Sequence, residues 1–139
     1  MAAATVAAPA GSINFGFKQS NVGLTAYPLS HAWVTAETDD VNDTVEFGYL
    51  PAGITVIGLL NVCADLDSGT GTLRHTIKLG ATSIVTTDDL CAAGGGEAHF
   101  FAPIALTAPT LVSVVTTTAA NVHANGTQYL TFLYHATST

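Results

Sequence analysis

Positive charge is almost absent from this sequence. Its 139 residues carry three Lys and Arg against ten Asp and Glu, a formal net charge of −7. The three bases, Lys18, Arg74 and Lys78, do not form a cluster. A nucleic-acid surface needs grouped Lys and Arg to displace counterions from phosphates, so direct nucleic-acid binding is excluded. Long apolar runs are missing as well. Hydrophobic residues make up 48% of the chain, yet none of their runs reaches the roughly 18 consecutive apolar residues of a membrane span, and no membrane partner is expected. Two cysteines, Cys63 and Cys91, are too few for a disulfide framework. They could pair, but Cys63 lies in an apolar strand pattern and reads as a small buried hydrophobe. The opening "MAAATVAAPAGS" has neither a basic n-region nor a strong apolar h-region, so it is not read as a secretory signal.

Charge of either sign is scarce, at 9% of residues, where about a quarter is usual. The surface must therefore be built from Thr, Ser, Asn, Gly and Ala. Such a surface loses little on desolvation and suits a protein packed against copies of itself or a larger assembly. The few acids concentrate at Glu37, Asp39, Asp40, Asp43 and Glu46, a solvated loop leading into a strand.

Period-2 alternation dominates, and no window has the periodicity of an amphipathic helix. In "DTVEFGYL", Val45, Phe47 and Tyr49 share one face. In "GTLRHTIKLG", Leu73, His75, Ile77 and Leu79 point one way and Thr72, Arg74, Thr76 and Lys78 the other, a half-buried strand. Further strands are expected at 13–17, 29–36, 54–65, 82–85, 97–102, 110–117 and 127–135. Turn residues separate them: "LPAG" at 50–53, "DSGTG" at 67–71, "AAGGGE" at 92–97, "TAP" at 107–109 and "ANG" at 124–126. Eight or nine short strands predict an all-β fold, a single-domain antiparallel β-sandwich of jelly-roll type over residues 13–139, with a flexible or docked N-terminal arm at 1–12.

The Asp-Ser-Gly tripeptide at 67–69 spells the signature of an aspartic protease, in which two such carboxylates share a proton. Its context is wrong. Asp65 stands where an apolar residue is expected, the apolar-apolar-Gly match Val56-Ile57-Gly58 lies upstream, and Lys78 spoils the downstream one. "DLDSG" also begins like a calcium loop, but its twelfth position is Thr76 rather than Glu, and Gly69 falls one residue early. Asp65 and Asp67 read instead as turn-capping acids on a polar rim, in a hairpin joining strand 54–65 to strand 71–79. Asp67→Asn is then expected to leave function intact.

The histidines, His31, His75, His99, His123 and His135, include no i, i+2 pair that would set two imidazoles on one strand face. There is no Gly-x-Ser-x-Gly elbow, and "AAGGGE" lacks the helix and Lys of a phosphate cradle. Phe17, Tyr27 and Trp33 could bind a sugar if exposed; aromatics at strand spacing are more often core. No catalytic residue, metal ligand or cofactor is assigned.

The segment "EFGYLPAGITVIGLLNVCADLDSGTGTLRHTIKLG", with "AAGGG", the Val/Thr strand 110–117 and the closing "ANGTQYLTFLYH", resembles small structural proteins of tailed-bacteriophage heads. The likeness covers roughly residues 45 to 135 and lies in the order of the elements. It implies a non-enzymatic head decoration (cement) protein: a β-sandwich, commonly trimeric, that sits on the outer capsid surface and clamps the major capsid protein. Two other classes compete with it. A head-fibre or tail adhesin binding a host glycan would expose Trp33 or Tyr27 in a pocket, and a homodimeric protease would use Asp67. From low charge and surplus apolar content, a stable homo-oligomer, a trimer, is expected. Light scattering at micromolar concentration checks this, and a monomer counts against it.

Overall fold

The computed structural model describes residues 24–34, 37 and 40–137. The arm at 1–12, strand 13–17 with Phe17, and the end of strand 29–36 lie outside the described residues. Among the described residues eight strands follow in order: β1 (Thr25–Trp33), β2 (Thr44–Leu50), β3 (Ile54–Cys63), β4 (Arg74–Leu79), β5 (Thr82–Asp88), β6 (Gly95–Leu106), β7 (Thr110–Thr118) and β8 (Gly126–Ala136). A single 3-10 turn, Leu90–Ala92, separates β5 from β6. The predicted strands form with shifted ends. β6 runs from Gly95 through Pro103 to Leu106, longer than the 97–102 expected, because it is an edge strand on which a missing N–H is tolerated.

The strands make two antiparallel four-stranded sheets, ordered β1-β8-β3-β6 and β2-β7-β4-β5. Folded about its midpoint, the chain pairs β4 with β5, β3 with β6, β2 with β7 and β1 with β8. It is one long hairpin wrapped into a sandwich, the jelly-roll pattern. Between the sheets lies a core that includes Leu50, Val56, Leu59, Leu73, Ile77, Val112, Val114, Leu130 and Phe132, each with no exposed surface. The alternation that predicted β4 is borne out: His75, Ile77 and Leu79 are buried, while Arg74, Thr76 and Lys78 are partly open to solvent.

Three sequence expectations fail here. Tyr49 does not share the face of Val45 and Phe47, because the bulge between Glu46 and Gly48 turns it outward, 58% exposed. β3 and β4 belong to different sheets, so 64–73 is a crossover between layers and not a hairpin. A turn composition looks the same in both cases, because either connection must reverse the chain with Gly and Asp. Cys63 is not a free apolar filler either. It forms a disulfide with Cys91, their Cα atoms 5.3 Å apart, which ties β3 to the turn between β5 and β6.

His75 packs inside this core, its ring stacked on Trp33 at 4.9 Å and 13°. Neither ring nitrogen has a hydrogen-bond partner. Burial disfavours the cation and pushes the pKa down to about 4. A depressed folded-state pKa contributes stability that is complete above the unfolded value, about 6.5, and is lost as pH falls towards the folded one. His75→Phe removes this loss without removing a hydrogen bond. The stability difference between variant and parent should therefore move in the variant's favour by about 3 kcal/mol from pH 7 to pH 4. Denaturant titrations across that range check it. Taking the difference cancels Asp88, whose raised pKa acts in the opposite direction.

Candidate functional site

Asp67 lies at one end of the sandwich, where the 64–73 crossover meets the connection from β7 to β8. It is 2% exposed. Its Oδ2 accepts from the backbone N–H groups of Thr72 at 2.7 Å, Leu73 at 3.1 Å and Asn121 at 2.9 Å. Its Oδ1 accepts from the N–H of Val122 at 2.9 Å and of Gly69 at 3.2 Å. Burial alone would raise the pKa. The N–H groups of Val122, Asn121, Thr72 and Leu73 outweigh it and hold the carboxyl well below the usual range. A carboxylate so held is neither a useful acid nor a useful base near neutrality. Gly69 permits the packing, since a Cβ there would run into the side chains of Asn121 and Val122.

Asp67 does cap its turn through the Gly69 N–H, but it is buried rather than on a polar rim and gathers further donors from the 121–122 backbone. Asp65, by contrast, is exposed, and its Oδ1 accepts from the Asp67 N–H at 2.9 Å, as a capping acid does. The oxygens of Asp67 are filled by donors from two segments, the 69–73 stretch and the distant Asn121 and Val122 N–H groups, which leaves little acceptor capacity for a cation shared with Asp65.

A second polar group crosses the interior. The Trp33 indole Nε1–H donates to Gln128 Oε1 at 3.0 Å, Gln128 Nε2 to Asn61 Oδ1 at 2.9 Å, and Asn61 Nδ2 to Asp88 Oδ2 at 2.8 Å. An indole N–H can only donate, so the direction of the chain is fixed from Trp33 outward. It ends at Asp88, Glu97 and His99, whose ligand atoms lie within 4.8 Å of one another. Burial, then the neighbouring Glu97 carboxyl, raises Asp88 to about 7. A bulge turns Asp88 inward. Between His75–Asp88 and Ile77–Val85, two steps on β4 face three on β5, with Thr87 at φ 51°. These residues are not among the sequence candidates. Their trace in the sequence is the i, i+2 pair of Glu97 and His99 on the inner side of one strand, a mixed carboxylate–imidazole pair rather than two histidines.

Among the described residues, Trp33 and Tyr27 do not form a sugar-binding platform. Trp33 is 1% exposed, and Tyr27 packs on the core edge-on to Tyr134 at 6.4 Å.

The two outer faces differ in charge. On the β1-β8-β3-β6 sheet, Ser30 pairs with Tyr129, Tyr129 with Val62, and Val62 with Gly96; one row over, Pro28 pairs with Thr131, Thr131 with Leu60, and Leu60 with Ala98. Phe100 lies over Gly58, where a Cβ would touch its ring. None of these residues carries a charge. Leu60, Val62, Tyr129 and Phe100 are 39%, 49%, 51% and 70% exposed. The β2-β7-β4-β5 face instead sets Glu46, Ser113 and Lys78 in one row and carries Arg74 and Thr76 beside them.

No family model and no curated protein matches the chain. Solved structures do. A chain of the cyanophage Pam1 capsid asymmetric unit superposes with a TM-score of 0.70 at 17% identity, covering 91% of this chain and 94% of that one. A chain from the capsid of Ralstonia phage GP4 gives 0.65 at 17% identity, covering 91% and 93%. One from the acid-stable capsid of Helicobacter pylori bacteriophage KHP30 gives 0.52 at 15% identity, covering 84% and 94%. What is shared is the fold.

To the expectation that Asp67→Asn leaves function intact, the Asp67 geometry adds a cost in stability. An amide would set NH2 hydrogens against backbone N–H groups and abolish the charge they share. Hydrogen bonds to a charged group contribute about 1.5–3 kcal/mol each, so the substitution should lower the melting temperature by roughly 10 °C or more. Calorimetry checks this, and a parental melting temperature would sink the structural role.

Proposed function

We propose that this chain is a non-enzymatic structural protein of a phage virion: a decoration (cement) protein that packs on the outer surface of the head against the major capsid protein. The observation that carries it is the uncharged outer face of the β1-β8-β3-β6 sheet, with Leu60, Val62, Tyr129 and Phe100 standing out from it. Apolar groups in an uncharged surround lose little on desolvation and gain from burial, at roughly 25 cal/mol per Å². The opposite face keeps its charges towards solvent. Three capsid chains with this fold, matched over most of their length, support the same reading. The Cys63–Cys91 disulfide fits a protein that ends up outside a reducing cytosol.

The mechanism is mechanical. A sandwich repeated by capsid symmetry, as a homo-oligomer and most simply a trimer, multiplies modest contacts into avidity and needs no reacting group. The adhesin reading is not pursued, since Trp33 is buried, and the protease reading loses its acid, since Asp67 is saturated by backbone donors.

The test uses heads of the encoding phage that lack the protein, with the purified full chain added back. Saturable co-sedimentation and density at capsid symmetry positions are expected. Val62→Glu with Tyr129→Glu buries unpaired charge at the contact and should weaken binding at least about 100-fold. Thr76→Glu, on the charged face, should bind like the parent. Equal loss from both substitutions, or from neither, would remove this face as the docking surface.

A further inference from the structure

The cluster of Asp88, Glu97 and His99 has no part in a sheet-face contact, and it is not explained by packing. Asp88 comes from β5 and the other two from β6, the edge strands of opposite sheets. Three residues of metal-ligating type thus converge across one open side of the sandwich. Two buried atoms there, Glu97 Oε2 and His99 Nε2, have no hydrogen-bond partner. Buried polar atoms are nearly always satisfied; here the Asp88 and Glu97 carboxyls are hydrogen-bonding neighbours and His99 Nε2 lies 3.4 Å from Glu97 Oε1 without a hydrogen bond, a grouping that an ion among the three would satisfy.

We propose that Asp88, Glu97 and His99 form a divalent transition-metal site, best suited to zinc, with one coordination position left for water or a partner. The ligand set favours this ion. One imidazole with two carboxylates matches the N/O donors of zinc, whereas calcium takes six to eight oxygens and magnesium an octahedron of them. The spacing agrees. His99 Nε2 already lies 3.4 Å from Glu97 Oε1, about the ligand–ligand edge of a tetrahedron with bonds of roughly 2.0–2.1 Å. Asp88 closes the remaining gap, from at most 4.8 Å, by side-chain rotation. Asn61 holds Asp88 Oδ2 through its amide, which Gln128 and Trp33 orient in turn. This outer support is what bound metals ordinarily have. The ion would clip the β5 edge to the β6 edge beside the Cys63–Cys91 bridge, so its effect is on the fold and is independent of the head assignment.

The experiment uses the full chain after EDTA treatment and dialysis. Isothermal titration with zinc chloride should show one ion per chain at micromolar affinity or tighter, magnesium chloride should give no comparable heat, and saturating zinc should raise the melting temperature by several degrees. Cobalt chloride should produce the intense visible bands of a four-coordinate ion. His99→Ala should weaken zinc binding at least about tenfold and abolish those bands, with circular dichroism unchanged, while His135→Ala binds like the parent. Glu97→Gln serves in its place if His99→Ala fails to fold. The proposal is overturned by the absence of saturable zinc binding, or by binding that survives His99→Ala or Glu97→Gln in a folded chain.

Discussion

One carboxylate organises an end of this molecule. A jelly-roll sandwich must carry its chain repeatedly from one sheet to the other, and crossovers have no ladder of their own to satisfy their backbone groups. Asp67 supplies that ladder. Placed between the 64–73 and 119–125 segments, its two oxygens collect donors from both. The Ser68 N–H to Val122 carbonyl bond at 2.9 Å and the Ala124 N–H to Leu66 carbonyl bond at 3.1 Å complete the seam. A third crossover joins through the Cys63–Cys91 disulfide and through the Leu66 N–H, which donates to the Cys91 carbonyl at 2.8 Å. Three connections that would otherwise fray are thus fastened to one another. Because the carboxyl is held ionised by these donors, the seam survives wherever the unfolded chain's Asp would also be charged, and weakens as pH falls below about 4.

The interior carries a second constraint of a different kind. The chain from Trp33 through Gln128 and Asn61 to Asp88 places polar groups where apolar ones would pack. A satisfied buried network adds little net stability but fixes geometry, since a slip of register leaves every member unpaired. It connects β1, β8 and β3 of one sheet to β5 of the other, and so sets how the two layers sit. His75, stacked on Trp33 with both nitrogens unpartnered, belongs to the same layer without belonging to the network. That separates a polar residue that specifies the packing from one that is merely tolerated within it.

Much of the strand layout was legible from period-2 alternation. That signal depends only on which side of a strand is wet, and β4 with its buried His75, Ile77 and Leu79 shows it most clearly. Sheet membership was not legible, because Asp, Ser and Gly allow a chain to turn without specifying where it goes next; hence 64–73 read as a hairpin. The importance of Asp67 was visible in part. An Asp in such a turn binds backbone N–H groups, but the number of donors depends on the 119–125 segment arriving from more than fifty residues away. The partnership of Cys63 and Cys91 has the same origin. Asp88, Glu97 and His99 were harder still, since an inserted residue at Thr87 reverses which way Asp88 points. A one-residue bulge defeats alternation wherever it occurs.

These features bear jointly on the docking role proposed above. An uncharged sheet face gives a partner nothing to pair with electrostatically, so its affinity has to come from apolar burial, and most of that gain is lost if the surface must be ordered on contact. Here the face is built from strands already fixed from behind. β1, β8 and β3 contribute Trp33, Gln128 and Asn61 inward and Ser30, Tyr129 and Val62 outward, on alternating positions of the same three strands. The network that fixes the inner side of the sheet therefore also fixes the register of the outer side. A protein with 9% charged residues would have few electrostatic means of choosing a partner. On the proposed reading, shape held constant by a specified interior is the means left to it.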